Sequence, residues 1–433
     1  MKNFAKNKFS AAQWLYTIKA PKDVQSVTII GEGEVNPEQV GLSVQEIAKI
    51  WDLVERLYKT GVYPALSFCL RKSGKILLNR SIGHSRGNPP VLWCDNNLKQ
   101  EPAVLMTPNT PVCLFSASKA ITAMLIHFLS EKKYLDIMDP ISHYLPKFKG
   151  SGKRDLTIYH ILSHRAGIPS FPSDLPIEFL FDPDMVSNVI AQMTPKWIGG
   201  RGLGYHAITG GFVLGEIIEL VMQASIKDLL RDVIQKPMNM SFFTFGLEKE
   251  HCDHFALNYV SGVKPVFPAS HFIKRMLGAP LEDVVRLSND PRFLKAVIPA
   301  GNIFATAEEV SRFFQMLLNE GHYGNKQHFL PTTVRRAIQE TGKPEFDRMF
   351  LLPMRYSAGF ILGANPIGFW GPNSRHAFGH LGFTNNLCWA DRERDIACAL
   401  LTTGNPLFGP HLPALAQLMM QIGRTCKPLI KLS

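Results

Sequence analysis

The sequence predicts an α+β protein, in which an antiparallel β-sheet is flanked by helices and carries a mostly helical inserted subdomain. Two strand-like runs lie near the start of the chain, at 65–70 and 75–82, and two more lie near its end, at 385–390 and 396–402. Helical patterns fill most of the segment between these pairs. Because strands from the two ends flank a helical segment, we expect a single sheet that is assembled from both ends of the chain.

The elements in the first part of the chain are predicted from local signals. Residues 42–58 have the pattern of an amphipathic helix, because Ser43 and Glu46 form a capping box and apolar residues recur at helical spacing. The apolar stripe consists of Ile47, Ile50, Trp51, Val54 and Leu57. A turn at 72–74 then joins the first two strand-like runs into a hairpin, and 116–129 is predicted to form a helix.

The later elements follow from the same signals. The segment 121–299 contains helical pieces that are capped at Thr157 and Ser225 and are separated by prolines and glycines. A second capping box at 306–309 begins a further helix, and 412–424 is predicted to form the closing helix.

The composition excludes several classes of protein. Of the 433 residues, 45% are apolar and 19% are charged, which is typical of a globular chain and excludes a disordered, collagen-like or coiled-coil protein. The most apolar helix candidate, 210–224, is interrupted by Glu216 and Glu219, so no integral membrane span is predicted. Seven cysteines form no CxxC pair, which favours reduced thiols, and we expect a cytoplasmic protein without an export signal.

The net charge of +11 raises the question of an anionic partner. Most basic residues are dispersed, so no nucleic-acid partner is predicted. Residues 1–22 are the exception, because they contain no acid before Asp23 but five lysines and several large apolar residues. These are Lys2, Lys6, Lys8, Lys19 and Lys22, with Phe4, Phe9, Trp14, Leu15 and Ile18. We interpret this arm as a surface extension; targeting or peripheral membrane association is the alternative.

Two serine motifs compete for the role of nucleophile. Ser85 lies in a GxSxG run at 83–87, which in a nucleophile elbow must be followed directly by a helix. The run is followed by Asn-Pro-Pro at 88–90, which is typical of a loop. We therefore interpret this GxSxG match as coincidental.

The second motif is an SxxK formed by Ser116 and Lys119. Two other SxxK matches begin at Ser130 and Ser261, but only Ser116 begins an apolar helical run. Residues three apart share a helix face, so the Lys119 amine is expected to reach the Ser116 hydroxyl, and a buried lysine loses its proton more readily. On this segment alone, an N-cap serine beside an ordinary solvated lysine is an equal alternative.

Further motifs give the chain a resemblance to a known family. The run 115–119 resembles the first motif of the class C serine β-lactamases and their relatives, the D-alanyl-D-alanine carboxypeptidases and β-lactamase-like esterases. Residues 205–207 (YHA) stand where those proteins have Tyr-x-Asn, and 380–382 (HLG) stand where they have Lys-Thr-Gly or His-x-Gly. The resemblance extends to 160–169, 210–219 and 300–306, and covers about residues 45–405. It implies a β-lactamase/transpeptidase-like fold.

The resemblance also implies acyl transfer without a metal or cofactor. Ser116 would attack a carbonyl while Lys119, aided by Tyr205, takes the proton. The backbone N–H groups of Ser116 and Phe383 would form the oxyanion hole.

Two departures from the family pattern bear on the substrate. Ala207 replaces the asparagine whose amide would bind a β-lactam or peptide, and His380 replaces a permanently charged lysine. His380, Gly382 and Phe383 are nevertheless expected to line the substrate side of the site. We therefore expect an esterase acting on a small-molecule ester. A β-lactamase or D-alanyl-D-alanine carboxypeptidase, and a non-catalytic binding protein on the same fold, are the alternatives.

The predicted domain organisation has an N-terminal extension, 1–41, and a catalytic domain, 42–433. Within that domain, 42–120 and 300–433 would form the α/β part and 121–299 the helical subdomain. A homo-oligomer is compatible with the sequence.

Other patterns have structural explanations that we favour. The metal-type run 251–254 matches no standard zinc spacing, so we interpret it as a surface loop. His160 and His164 lack the glutamate of HExxH, and capping or core hydrogen bonding explains them better. The glycine-rich segment 199–204 is interpreted as a flexible approach to Tyr205. An aromatic and methionine cluster is equally consistent with an acyl pocket and with the core; it comprises Met238, Met240, Phe242, Phe243 and Phe245.

Overall fold

One antiparallel sheet forms the centre of the computed structural model, which describes residues 15–91, 101–172, 174–383 and 385–429. Its strands are β1 (Thr28–Ile30), β2 (Ala65–Lys72), β3 (Lys75–Arg86), β4 (Val104–Leu105), β5 (Ile361–Leu362), β6 (Ala377–Gly382), β7 (Asn386–Asp391) and β8 (Ile396–Thr402). They lie in the order β5-β6-β7-β8-β2-β3-β1, and β4 pairs with the end of β3. The predicted sheet from both ends of the chain is therefore confirmed, since β8 pairs with β2.

Helices flank the sheet and form most of the inserted segment. They are α1 (Val44–Lys59), α2 (Ser118–Glu131), α3 (Ile141–Tyr144), α4 (Ile158–Leu162), α5 (Pro183–Gln192), α6 (Thr209–Met222), α7 (Ile226–Leu230), α8 (Ala269–Leu277), α9 (Leu281–Ser288), α10 (Pro291–Lys295), α11 (Ala307–Leu318), α12 (Pro331–Ile338) and α13 (His411–Thr425). In the described part of the chain, no single helix has the length and apolar character to cross a membrane; α6 together with Ile226–Gln235 meets that test only as a pair bent by 82°.

Both faces of the sheet are buried. Because side chains alternate along each strand, neighbouring residues of one strand pack on opposite faces. Leu66 and Phe68 of β2 belong to the apolar cluster that includes the inner faces of α1 and α13. Ala65 and Cys69, on the opposite face of the same strand, pack in the cluster that includes α2, α6 and α11. The sheet is therefore the middle layer, with helices on each side.

Local signals located several helices correctly. The capping boxes of Ser43 with Glu46 and of Thr306 with Glu309 are both present, which confirms the predicted starts of α1 and α11. Thr157 caps α4 through its side chain, as predicted. These helices begin where a side chain satisfies backbone N–H groups that would otherwise have no partner.

A short three-stranded sheet connects the two halves of the molecule. Val112–Cys113 and Thr244–Phe245 both pair with Ile303–Ala305. The inserted segment is thus not purely helical. This small sheet fixes the chain just before Ser116 against the chain just after Ala300, and so forms one side of the candidate site.

Candidate active site

The serine of the SxxK run lies in a turn before the helix. Ser116 is the middle residue of a 3-10 turn, Phe115–Ala117, and α2 begins only at Ser118. The expectation that Ser116 lies on the first α-helical turn is therefore wrong, because Phe115 has a left-handed backbone (φ 47°) that redirects the chain. Ala117 occupies the N-cap position, and no side chain caps the helix, so Ser116 is not a capping serine either. Non-glycine residues with such strain are enriched at functional sites.

Three polar side chains predicted for the site meet at this turn. Lys119 Nζ donates hydrogen bonds to Ser116 Oγ at 2.9 Å and to the Ala300 carbonyl oxygen at 3.1 Å. The Tyr205 hydroxyl has Ser116 as a hydrogen-bonding neighbour, and Lys119 Nζ lies 5.0 Å from the centre of the Tyr205 ring. The Ser116 hydroxyl therefore contacts the Lys119 amine, and the Tyr205 phenol lies beside both, which is the arrangement required for proton transfer away from a serine.

Burial changes the pKa values of the amine and the phenol in opposite directions. It lowers the pKa of Lys119 well below the usual value of a lysine, because a low-dielectric environment disfavours the ammonium. Burial raises the pKa of Tyr205; the hydrogen bond with Ser116 opposes this shift and the charge of Asp347 adds to it. The amine is thus the group that becomes neutral, while the phenol keeps its proton.

The end of β6 comes close to the serine turn. A Cβ on Gly382 would lie 2.3 Å from the Leu114 carbonyl oxygen, so only glycine permits this approach of strand to turn. The Phe383 and Phe115 rings pack edge to face, with their centres 5.3 Å apart. The chain segment expected to supply the second oxyanion donor therefore lies beside the segment that carries Ser116.

His380 on β6 is buried next to the Tyr205 ring, with ring centres 6.1 Å apart. Burial, and secondarily the charge of Lys119, lowers the pKa of His380 to about 3. Its Nδ1 lies 2.8 Å from the Leu381 carbonyl oxygen, which a neutral ring can satisfy by donating from that nitrogen. Nε2 is then an acceptor, and no partner for it is found among the described residues.

Asp347 is a residue that the sequence analysis did not identify. Its fully buried carboxylate accepts a hydrogen bond from the Tyr205 backbone N–H (3.0 Å) and from the Tyr356 hydroxyl (3.0 Å) through Oδ2. Its Oδ1 accepts from the backbone N–H groups of Met349 and Phe350, at 2.7 and 2.9 Å. The carboxylate therefore fixes the backbone at Tyr205 and the loop whose Phe350 ring packs 4.7 Å from the Tyr205 ring.

His164 supports the same tyrosine from the other side. Its ring lies 4.8 Å from the ring centres of both Tyr205 and Tyr356, and its Nδ1 accepts the His206 backbone N–H at 3.2 Å. The sequence analysis had assigned His164 to capping or core hydrogen bonding, and the buried contacts are of the core kind. A cavity of about 30 Å³ lies between Lys119 and these two histidines, which is large enough for one water molecule.

The competing serine, Ser85, does not hydrogen-bond to an amine or a phenol in the described structure. Ser85 is 3% exposed within β3, and its hydroxyl donates to the Val104 carbonyl oxygen at 3.2 Å.

The other patterns noted in the sequence have structural roles. Phe243 and Phe245 are fully buried in the main core, which favours packing over an acyl pocket. The glycine-rich segment lies against the Trp197 side chain, which leaves no room for a Cβ at Gly204. Within the described ranges, no group of three or more His, Cys, Asp or Glu side chains is arranged to hold a metal ion.

An antiparallel sheet with a helical insertion and a Ser–Lys–Tyr set is the combination that defines a class of proteins. This class comprises the serine β-lactamases and their carboxypeptidase and esterase relatives. The chain belongs to the beta-lactamase family, whose model matches residues 51–418. The protein described as "Esterase/beta-lactamase LipL" from Mycobacterium tuberculosis is 24% identical over 314 residues, which are 69% of this chain and 70% of that protein.

Two solved structures share the fold. A penicillin-binding protein homologue from Caulobacter crescentus has a TM-score of 0.74 at 22% identity, and the match covers 89% of this chain and 99% of that one. A family VIII carboxylesterase has a TM-score of 0.73 at 22% identity with the same coverage. The α+β fold of the β-lactamase/transpeptidase type, which the sequence predicted, is thereby confirmed.

Proposed function

We propose that this chain is a serine hydrolase that cleaves carboxylic esters through an acyl-enzyme on Ser116. The observation that carries the proposal is the 2.9 Å contact between Lys119 Nζ and Ser116 Oγ, made by an amine whose pKa burial lowers well below its usual value. A neutral amine in this position can accept the serine proton. A solvated lysine could not, because it would stay charged near neutral pH.

In the acylation step, Ser116 Oγ attacks the ester carbonyl carbon and its proton moves to Lys119 Nζ. The C–O bond to the alcohol then breaks, and the leaving oxygen needs a proton. Tyr205 is suited to deliver it, because its phenol stays protonated and can receive a replacement proton from the lysine. General acid–base transfer of this kind typically contributes about 10²–10⁴ in rate.

The negative charge on the tetrahedral oxygen requires donors that are already in place. We assign the backbone N–H groups of Ser116 and Phe383 to this role. Support comes from the close approach at Gly382, which brings the end of β6 against the serine turn. Water then attacks the acyl group and frees Ser116, whereas an alcohol in place of water would make a new ester.

The binding side of the site favours an ester over a β-lactam or a D-alanyl peptide. Ala207 carries only a methyl group where an amide would contact an amide substrate, and its backbone N–H donates to the Pro169 carbonyl oxygen at 3.2 Å. His380, with a pKa lowered to about 3, is neutral at all but strongly acidic pH and offers no cation for a substrate carboxylate. An ester requires neither group.

Hydrolysis of a short-chain p-nitrophenyl ester tests the proposal directly, with labelling of Ser116 by a fluorophosphonate as a second measurement. A labelled Ser116 peptide together with ester turnover supports a catalytic role. A folded protein without either would favour the non-catalytic binding protein. Turnover of nitrocefin as fast as that of the ester would favour the β-lactamase alternative, to which the name of the M. tuberculosis relative also points.

A further inference from the structure

Four large apolar side chains form an exposed patch on two neighbouring loops. Phe267 is 81% exposed and Phe408 is 50% exposed, and Val263 and Val266 are also exposed. The Val263 backbone N–H donates to the Phe408 carbonyl oxygen at 2.9 Å, which joins the two loops. We name these four residues the apolar rim. Four exposed apolar side chains on two loops joined in this way are more than the scattered single residues found on most surfaces.

The rim is followed along the chain by a basic surface. Residues 254–280 contain no aspartate or glutamate, while Lys264 lies within the rim loop and helix α8 presents His271, Lys274 and Arg275 outward. Among the described residues, no acid forms an ion pair with Lys264, Lys274 or Arg275. The three α8 side chains and Lys196 line a surface depression of about 590 Å³ that includes no acidic residue. Lys274 also borders a neighbouring depression that contains Glu178, Asp283 and Asp290, but none of these acids forms an ion pair with it. Lys196, Lys274 and Arg275 thus leave the first depression with a positive charge that attracts an anionic surface.

The N-terminal segment enters the described structure at this same place. Leu15–Tyr16 pairs with Gly262–Val263, with Leu15 opposite Val263. The 14 preceding residues contain three lysines, two phenylalanines and a tryptophan, and no acid. The chain outside the described ranges therefore joins the apolar rim directly and repeats its combination of aromatic and basic residues.

An apolar cluster connects the rim to the candidate site. Tyr16 pairs with Gly262, next to Val263, and Leu407 precedes Phe408. Both pack on the same apolar cluster as Phe383, which follows β6. A surface that binds the rim would therefore lie near the segment assigned to the oxyanion hole.

We propose that the apolar rim and the basic face of α8 dock this protein onto a bilayer that carries anionic phospholipid. Aromatic side chains would insert at the headgroup level, and the lysines and arginine would contact lipid phosphates. We infer an anionic bilayer because its charge is complementary to the basic face of α8. In addition, the basic and aromatic residues 1–14 lead directly into the strand that pairs with Val263 of the rim. If the proposed esterase function also holds, which this extension presupposes, the substrates would be esters that partition into the membrane.

The test is co-sedimentation of the full-length protein with vesicles. The Ser116→Ala variant is used, so that the result does not depend on turnover. We expect binding to phosphatidylcholine vesicles that contain about one part in four of phosphatidylglycerol, and binding at least about tenfold weaker to phosphatidylcholine alone. Raising the salt concentration from about 0.1 M to about 0.5 M should weaken the binding, because dissolved ions screen the charges and reduce the range of their attraction.

Two pairs of variants separate this surface from other exposed ones. The double substitution Phe267→Ser with Phe408→Ser, and separately Lys274→Glu with Arg275→Glu, should each weaken binding to the anionic vesicles about tenfold. The matched control is Ile367→Ser with Lys343→Glu, which alters a second exposed apolar surface (Ile367 is 77% exposed) and should leave binding within about twofold.

Three results would overturn the proposal. These are no binding to either vesicle, equal binding to both, or an equal loss in the control pair. A dimer in light scattering that only the Phe267 and Phe408 substitutions dissociate, without vesicle binding, would assign the rim to a second copy of the chain instead. Because vesicle binding is measured on an inactive variant, its failure is distinguishable from failure of the esterase proposal.

Discussion

Two regions of the molecule present a serine in a hydrolase-like motif, and they differ in what surrounds the hydroxyl. Ser85 lies within a strand, where its hydroxyl contacts a backbone carbonyl and adjacent His84 projects to the opposite face of the sheet. Ser116 lies at a strained turn between an amine and a phenol. Ser85 lies in a strand and Ser116 follows one closely, so the presence of a strand alone does not distinguish them.

The comparison shows that activation depends on neighbours with suitable pKa values. A serine hydroxyl is a weak nucleophile until a nearby base takes its proton. Lys119 meets this condition because burial makes the amine easier to deprotonate, and the spacing of three residues brings it to Ser116. Among the described residues, no basic side chain hydrogen-bonds to the Ser85 hydroxyl, which donates to a carbonyl instead. The predictions below test this difference, in order of decreasing effect.

Replacing the two serines is the most direct test and has the largest expected effect. We expect Ser116→Ala to reduce kcat/KM for a p-nitrophenyl ester by roughly 10⁴-fold or more, because the covalent step is lost. Ser85→Ala should retain activity within about threefold, since it removes only a weak contact to a carbonyl. Loss of activity in Ser85→Ala with activity retained in Ser116→Ala would reverse the comparison.

The second prediction concerns the base. Lys119→Ala should lower kcat by about 10³-fold, within the range of general-base effects. In the native protein kcat/KM should rise with pH through the pKa of Lys119, because only the neutral amine accepts a proton, and this rise should occur well below the usual pKa of a lysine.

Lys119→Arg provides the control for charge at this position. A guanidinium stays protonated at all accessible pH values, so this variant should remain inactive as the pH is raised. Recovery of activity in Lys119→Arg at neutral pH would mean that the cation, rather than a neutral base, is what the site requires.

The third prediction separates the phenol from the amine. Tyr205→Phe keeps the ring against His164 and Phe350 but removes the proton donor. We expect kcat to fall by about 10²-fold with little change in thermal stability. Esters with better leaving groups should lose less activity, because their leaving oxygen departs without needing a proton. An equal loss for all leaving groups would argue against a proton relay through Tyr205.

The fourth prediction tests whether Asp347 supports catalysis at Ser116 by positioning Tyr205. Asp347→Asn should lower kcat by about tenfold with little change in KM, because a weakened acceptor no longer holds the Tyr205 backbone. Tyr356→Phe removes the other hydrogen bond to Oδ2 and serves as the control. It should lower the melting temperature while kcat stays within about twofold. Equal kcat losses in both variants would indicate a general structural role for the carboxylate.

Sequence reasoning succeeded where the determining contacts are local. The Ser43–Glu46 capping box spans three residues, and the contact of Ser116 with Lys119 follows from a spacing of three. The pairing of β8 with β2 was inferable because both are short apolar runs that need partners. The place of Tyr205 beside Ser116 came from the family resemblance, since no spacing predicts a contact between residues so far apart.

The remaining features depend on long-range packing. The carboxylate of Asp347 contacts the Tyr205 backbone, and nothing in the local sequence around 347 distinguishes it from a surface acid. The left-handed backbone at Phe115 is imposed by surrounding structure, because a phenylalanine alone does not favour it. For His164 the sequence predicted capping or core hydrogen bonding, but it did not predict the contact with Tyr205.

The pairing of β2 with β8 has a consequence for synthesis on the ribosome. The hairpin of β2 and β3 emerges early, but its neighbour in the sheet ends at Thr402, more than 300 residues later. Until then one apolar edge of the nascent hairpin has no partner, and such edges are prone to aggregate. Completion of the central sheet therefore has to wait until β8 has been synthesised, and until then other parts of the growing chain or a chaperone would have to shield that edge.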